Sequence, residues 1–215
     1  MKHMMKQHLK LCLLTHPTNQ TWDEYRTFIH QAIDGGVTCV QLRNKNQEIE
    51  EKYRFCCLLQ EQLVVKNIPL IINDDINLAK RVHADGLHLG QTDGDPLEAR
   101  EQLGPNVWIG RSIESLNDLM VANQCDAIDY VAASAVFQSQ TKSDCKTFWG
   151  IDGLKNMVHH STHPVVAIGG INTQNVASVW ATGVAGIAVI GALHNSNHPQ
   201  KAAYELRSGH YANDC

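Results

Sequence analysis

The sequence predicts a single-domain α/β protein, a (β/α)₈ TIM barrel, on three observations. Short apolar runs alternate with longer helical periodicities eight times in succession. The 215 residues suit one such domain, with no linker or low-complexity segment to divide it. Each apolar run stops abruptly on polar or glycine residues, which in a barrel collect at one rim. A doubly wound sheet is the main rival. Against it, the glycine-rich turns come late in the chain rather than after the first strand, where a dinucleotide fold would place them. Residues 1–8 are expected as an N-terminal tail, 9–208 as the barrel and 209–215 as a C-terminal tail.

In order, Leu11–Leu14 reads as the first strand, ending at Thr15-His16-Pro17. Trp22 to Ile33 is a helix with Trp22, Tyr25, Phe28, Ile29 and Ile33 on one face, stopped by Gly35-Gly36. Thr38–Leu42 is the next strand, Gln47 to Lys66 a long helix, and Pro69 to Asn73 a third strand ending on Asp74. Asp75 to His83 carries Ile76, Leu78, Ala79 and Val82 at the spacing of one short amphipathic helix. A fourth strand follows within Ala84–Leu89, then a polar turn to Asp93. Pro96 starts a helix to Leu103, as proline is tolerated in a first turn. Val107–Ile109 is a strand closing on Gly110-Arg111-Ser112, Glu114 to Gln124 a helix, and Ala127–Ala133 a strand. A long polar loop, 138–150, precedes a helix over Ile151–His160. Val165–Ile168 and Gly186–Ile190 are the last strands, with helices over Asn172–Ala181 and Pro199–Leu206.

Bulk properties narrow the class. With 43% hydrophobic and 19% charged residues the composition is that of a globular protein, and the net charge of −4 gives no reason to expect nucleic acid or an anionic membrane as partner. An anionic substrate must then be held by local cations. Seven cysteines lie scattered without a C-x-x-C or zinc spacing, which argues for reduced thiols and a cytoplasmic location. The start, MKHMMKQHLKLCLL, has too short an apolar run for a signal peptide, and no span long enough for a membrane follows. The sequence leaves room for a homo-oligomer.

At the outgoing strand ends a linear set becomes a spatial one. The second strand offers Gln41, Arg43 and Lys45, the third and fourth Asn73, Asp74 and Asp93, and the fifth Ser112. The sixth leads to Ser139, Thr141 and Lys142, and the last two end in Gly169-Gly170 and Ile190-Gly191. Consecutive strands joined by a helix are usually neighbours, so Asp74 and Asp93 are expected side by side. Two such carboxylates call for a positive ion, and hard oxygen ligands favour Mg²⁺. The competing reading is that both only cap the helices that follow. Paired glycine turns in the last two loops suit a phosphate, whose oxygens backbone N–H groups can approach. His88, inside a strand, reads as a packed and hydrogen-bonded core histidine, and no Ser/His/Asp or Cys/His arrangement stands out.

With these motifs the sequence resembles the thiamine-phosphate synthase family over about residues 10 to 206. Val40-Gln41-Leu42-Arg43-Asn44-Lys45 is similar to the family's V-Q-[LF]-R-E-K, and Ile72-Asn73-Asp74-Asp75 to its I-x-N-D. The run Ala84 to Asp93 resembles A-D-G-x-H-[LI]-G-Q-x-D, Ser139-Gln140-Thr141-Lys142 the T-x-T-K, and Ile168-Gly169-Gly170-Ile171 the I-G-G-I of a phosphate site. The resemblance implies a transferase that joins an aminopyrimidine-methyl diphosphate to a thiazole phosphate, releasing pyrophosphate and forming thiamine phosphate. It implies Mg²⁺ on Asp74 and Asp93. Gln41, Leu42, Arg43, Asn44, Lys45, Asn73 and Lys142 are then expected at the pyrimidine diphosphate, with Ser112 near the pyrimidine amine. Ser139, Thr141, Gly170, Ile190 and Gly191 are expected at the thiazole phosphate. Lys142, Ser112 and Arg43 take the catalytic roles.

The sequence also departs from that family. The glutamate of R-E-K is Asn44, the glycine-proline before T-x-T-K is Ser134-Ala135, its first threonine is Ser139, and the serine of the last phosphate turn is Gly191. A thiazole tautomerase of the same superfamily is the nearest alternative. It uses a histidine where this chain has Ala135 and lacks the second metal aspartate, which Asp93 supplies. A non-catalytic barrel that binds thiamine intermediates is another, and a sugar-phosphate isomerase would need an acid–base pair absent here.

Overall fold

In a computed structural model, residues 2–18, 20–44, 48–138 and 148–209 are described. Eight parallel strands close into a barrel in sequence order: β1 (Leu11–Leu14), β2 (Cys39–Leu42), β3 (Leu70–Asn73), β4 (Gly86–Leu89), β5 (Trp108–Ile113), β6 (Tyr130–Ser134), β7 (Val165–Ile168) and β8 (Gly186–Val189). The expected single-domain barrel is the fold observed. Helices α2 (Trp22–Gly35), α3 (Ile49–Val64), α4 (Ile76–Arg81), α5 (Pro96–Leu103), α6 (Leu116–Ala122), α7 (Gly150–His160), α8 (Val176–Trp180) and α10 (Pro199–Ser208) form the outer layer, and the short α9 (Gly191–His194) follows β8. Among the described residues no helix is long and apolar enough to cross a membrane, and no described cysteine is in a disulfide.

Strand alternation sorts the core into two layers. Leu11, Leu13, Val40, Leu42, Leu70, Ile72, Leu87 and Leu89 face the helices. Cys12, Leu14, Cys39, Ile71, Tyr130, Ala132, Val166 and Ala188 fill the lumen. Each fully buried leucine or isoleucine contributes about 1.5–3 kcal/mol, so the outer layer carries most of the stability. Small lumen residues leave room above them for a cavity.

Local chemistry sets the helix starts. Thr21 and Glu24 form a reciprocal capping box on α2, and Ser115 caps α6. Asp75 accepts from the Leu78 N–H to cap α4, and Asp95 accepts from the Leu97 N–H to cap α5. The helix-capping reading of Asp74 and Asp93 therefore gives way: neighbouring aspartates do that work.

Several boundaries differ from expectation. Within the segment expected as a tail, Lys2–His8 forms α1, and Met5 and Leu9 bury themselves against the lumen cluster. β5 runs on to Ile113, which puts Ser112 inside a strand rather than past its end. β6 starts at Tyr130 because Asp129 is occupied before it: its carboxylate accepts from the Ile109 N–H at 2.9 Å and pairs with Arg100. α8 starts late for a similar reason. Asn172 Oδ1 accepts from the N–H groups of Gln174 and Asn175, and Asn175 Oδ1 accepts from Asn172 N–H, so side chains compete with the helix ladder.

Candidate active site

Two adjoining cavities open at the outgoing ends of the strands. The first, of about 230 Å³, is lined by Gln41, Arg43, Asn73, Asp74, Asp93 and Ser112, with His88 and Tyr130 below. The second, of about 350 Å³, is lined by Gly169, Gly170, Asn172, Ile190, Gly191 and Asn195, together with Arg43. Leu14, Arg43, Ser134, Ile168 and Ala188 belong to both walls. Arg43 is thus the cation that reaches both chambers among the described lining residues.

Each side chain of the first chamber is braced. The buried Thr15 at the end of β1 donates its N–H to the Gln41 carbonyl, and its hydroxyl accepts from the Arg43 N–H at 3.0 Å. That fixes where β2 releases Arg43. Asp74 sits in the left-handed region at φ 69°, a conformation aspartate tolerates better than most residues. Its N–H donates to the His88 carbonyl at 2.8 Å, extending the β3–β4 ladder by one residue before the chain turns. Asp93 folds back over β4, accepting from the Gly90 N–H at 3.1 Å. Arg111 holds this turn to β5 by donating to the carbonyls of Gly94 and Gln91. His88 lies between Tyr130 and Ser112, with its ring nitrogens 3.1 Å and 3.0 Å from their hydroxyls, as a packed core histidine should.

The charges on the first chamber are unbalanced toward the negative. Among the described lining residues, Asp74, Asp93 and Glu114 supply carboxylates and Arg43 a guanidinium. A diphosphate entering there meets repulsion unless further positive charge accompanies it. Two hard-oxygen donors on adjacent strand ends, neither engaged as a helix cap, fit a magnesium ion.

The second chamber is built mainly from backbone. Gly170 has φ +65°, and Asn175 Nδ2 donates to its carbonyl at 2.9 Å. Behind Ile190-Gly191, His194 closes α9: its Nδ1 lies 3.0 Å from the Ile190 carbonyl and its Nε2 3.2 Å from the Tyr25 hydroxyl. Burial pulls the His194 pKa down to about 4, with His16 adding to the effect against the Ile190 hydrogen bond.

Of the residues expected at the site, Gln41, Arg43, Asn73, Asp74, Asp93 and Ser112 meet at the first chamber, and Gly170, Ile190 and Gly191 at the second. Asn44 lies instead in a shallow cleft shared with Lys52, Asp74, Asp75 and Asp93. Leu42 lines neither chamber: its side chain points to the helix layer, because it lies one residue out of phase with Gln41 and Arg43. Lys45, Ser139, Thr141 and Lys142 lie outside the described residues. Gln91, Glu114, Ser134 and Asn195 line the chambers without having been anticipated. Glu114 had a signal in the alternation Gly110, Ser112, Glu114, which shows only once β5 is read through to its true end.

Known proteins share this fold and much of this sequence. A family model described as thiamine monophosphate synthase matches residues 11–193. The thiamine-phosphate synthase of Chlamydia caviae is 41% identical over 204 residues, covering 95% of this chain and 96% of that protein. That of Vibrio parahaemolyticus is 42% identical over 180 residues, covering 84% and 88%. Among solved structures, a thiamine phosphate pyrophosphorylase from Pyrococcus furiosus superposes with a TM-score of 0.84 at 34% identity, over 95% of this chain and 96% of that one. A 3-hexulose-6-phosphate synthase, at 14% identity and a TM-score of 0.68, shares the fold.

Proposed function

Because the chain belongs to the thiamine monophosphate synthase family and is a transferase, we propose that it moves the aminopyrimidine-methyl group from its diphosphate to a thiazole phosphate, forming thiamine phosphate. The observation that carries this reading is the pair of unlike chambers meeting at Arg43. One is polar and acid-rich, suited to a metal-bound diphosphate. The other is edged by glycine turns, suited to a monophosphate.

The reaction breaks the bond between the pyrimidine methylene carbon and the diphosphate oxygen, and the thiazole nitrogen forms the new bond to that carbon. An electron-rich aminopyrimidine supports a cationic methylene, so the barrier falls mainly by neutralising the departing pyrophosphate and by alignment. Asp74 and Asp93 would hold Mg²⁺, which when bound draws charge from the leaving group. Arg43, Lys45 and Lys142 add positive charge to the same oxygens. Gln41, Asn73 and Ser112 orient the pyrimidine. Gly170 and Gly191 offer N–H groups to the thiazole phosphate, with Ser139 and Thr141 supplying hydroxyls and Ile190 an apolar wall. The thiazole nitrogen carries no proton, so no general base is required. The protein acts in the cytoplasm.

Purified protein given both substrates and Mg²⁺ will form thiamine phosphate. EDTA will stop it and excess Mg²⁺ will restore it. Undiminished product under EDTA would remove the metal, and no product under any of these conditions would remove the transferase reading.

A further inference from the structure

A row of three residues across the lumen carries an inference that deepens the transferase reading and rests on it. His88 on β4, Gly110 on β5 and Tyr130 on β6 are successive register partners. A Cβ at Gly110 would come within 2.2 Å of Tyr130 Cζ and 2.5 Å of His88 Nδ1. The tyrosine ring therefore lies across bare backbone, and its hydroxyl reaches over β5 to His88 Nδ1 at 3.1 Å. The other ring nitrogen is 3.0 Å from Ser112 Oγ, and Ser112 lines the first chamber.

The direction of these bonds follows from satisfaction of donors. Among the described residues His88 Nδ1 is the hydrogen-bond partner of the Tyr130 hydroxyl, and Tyr130 is 2% exposed. If the phenol oxygen accepted from Nδ1–H, its own O–H would be stranded in the lumen. A stranded donor is a worse defect than a spare lone pair. Burial also pushes the Tyr130 pKa well up, with Cys12, Cys39 and Asp129 adding to it, so the phenol keeps its proton. Tyr130 O–H thus donates to Nδ1. The neutral imidazole then carries its hydrogen on Nε2 and donates it to Ser112 Oγ.

We propose that Tyr130 is a positioning residue that, through His88, leaves the Ser112 hydroxyl hydrogen free to donate into the first chamber. A substrate acceptor, such as a pyrimidine ring nitrogen, can then receive that hydrogen, while the second lone pair of Ser112 Oγ stays open to a donor. Gly110 belongs to the same device, because any side chain there would part Tyr130 from His88.

Long-range nitrogen–proton NMR on histidine-labelled protein reads the tautomer directly. The parent is expected to show His88 protonated on Nε2 and bare on Nδ1, and Tyr130→Phe to lose that preference while the ring still packs on Gly110. In turnover assays Tyr130→Phe should lower kcat about fivefold in the parent, the scale of one neutral hydrogen bond. In an Ser112→Ala background the same change should cost less than about twofold, as expected when one residue acts through another. A parent His88 protonated on Nδ1, or losses that multiply in the double variant, would overturn the proposal. Because the tautomer is measured without substrate, an inactive parent would count against the transferase reading alone.

Discussion

On the β2–β5 side of the barrel mouth the groups facing the cavity are side chains, Gln41, Arg43, Asn73, Asp74, Asp93 and Ser112. On the β7–β8 side the edge is made largely of backbone, at Gly169, Gly170, Ile190 and Gly191. The two halves sit on the same barrel and differ in what positions them. The first relies on neighbours that brace each side chain: Thr15 under Arg43, Gly90 and Arg111 around the Asp93 turn, His88 behind Ser112. The second relies on the absence of side chains and on Asn175 and His194 holding the turns from behind. A side-chain site is broken by removing atoms, whereas a backbone site is broken by adding them.

The strongest test of that contrast removes atoms from the acidic half. Replacing Asp74 and Asp93 together by alanine should lower turnover about 10³-fold or more, the scale of losing charge stabilisation at a leaving group. The fold should survive with a loss of a few degrees in melting temperature, from the Gly90–Asp93 hydrogen bond and the left-handed backbone at residue 74, since Asp75 and Asp95 still cap α4 and α5. Undiminished product formation by this double variant would refute the metal assignment.

Adding one atom to the other half should do different damage. At Gly170 a Cβ would lie 2.5 Å from the Gln138 carbonyl oxygen and 2.7 Å from Phe137 Cβ, on a backbone with φ +65°. Gly170→Ala should therefore raise KM for the thiazole phosphate roughly tenfold or more and cost about 1–3 kcal/mol in stability. KM for the pyrimidine diphosphate should stay near the parent value. Equal rises in both constants would dissolve the division between the two chambers.

The smallest effect is a pH dependence lodged behind the glycine half. With its pKa pulled down from 6.5 to about 4, His194 is neutral in the fold and takes up a proton more readily when unfolded. The unfolded chain then binds more protons in that window, so stability falls as pH drops from about 6.5 to about 4, by up to about 3 kcal/mol. Urea unfolding across this range should show the slope, and His194→Gln should flatten it. A slope unchanged in the variant would assign the acid sensitivity elsewhere.

How much of this was legible depended on which force fixed each feature. Strand periodicity and helix stops are local, so β1, β7 and α5 fall where the apolar runs and Pro96 place them. Boundaries shifted where side chains bind backbone, across the fold where Asp129 holds β6 back to Tyr130 and within three residues where the Asn172–Asn175 pair delays α8. Of the site, the polar residues at strand ends were readable because a parallel barrel gathers those ends at one rim. Leu42 was not, since motif membership says nothing about which face a residue takes, and Glu114 hid behind a strand end placed too early.

The sequence by itself determined the barrel and the inventory of groups at its mouth, because alternation of apolar runs and the chemistry of strand-ending residues are properties of short stretches. Only the tertiary structure decided that Asp74 and Asp93, which do not cap α4 and α5, line one and the same cavity. It alone set the Lys2–His8 helix so that Met5 packs on the lumen cluster, and it alone set Tyr130 across Gly110 to reach His88. These outcomes depend on which strands lie side by side and in what register. That is fixed when the whole sheet closes, and no local stretch of the chain encodes it.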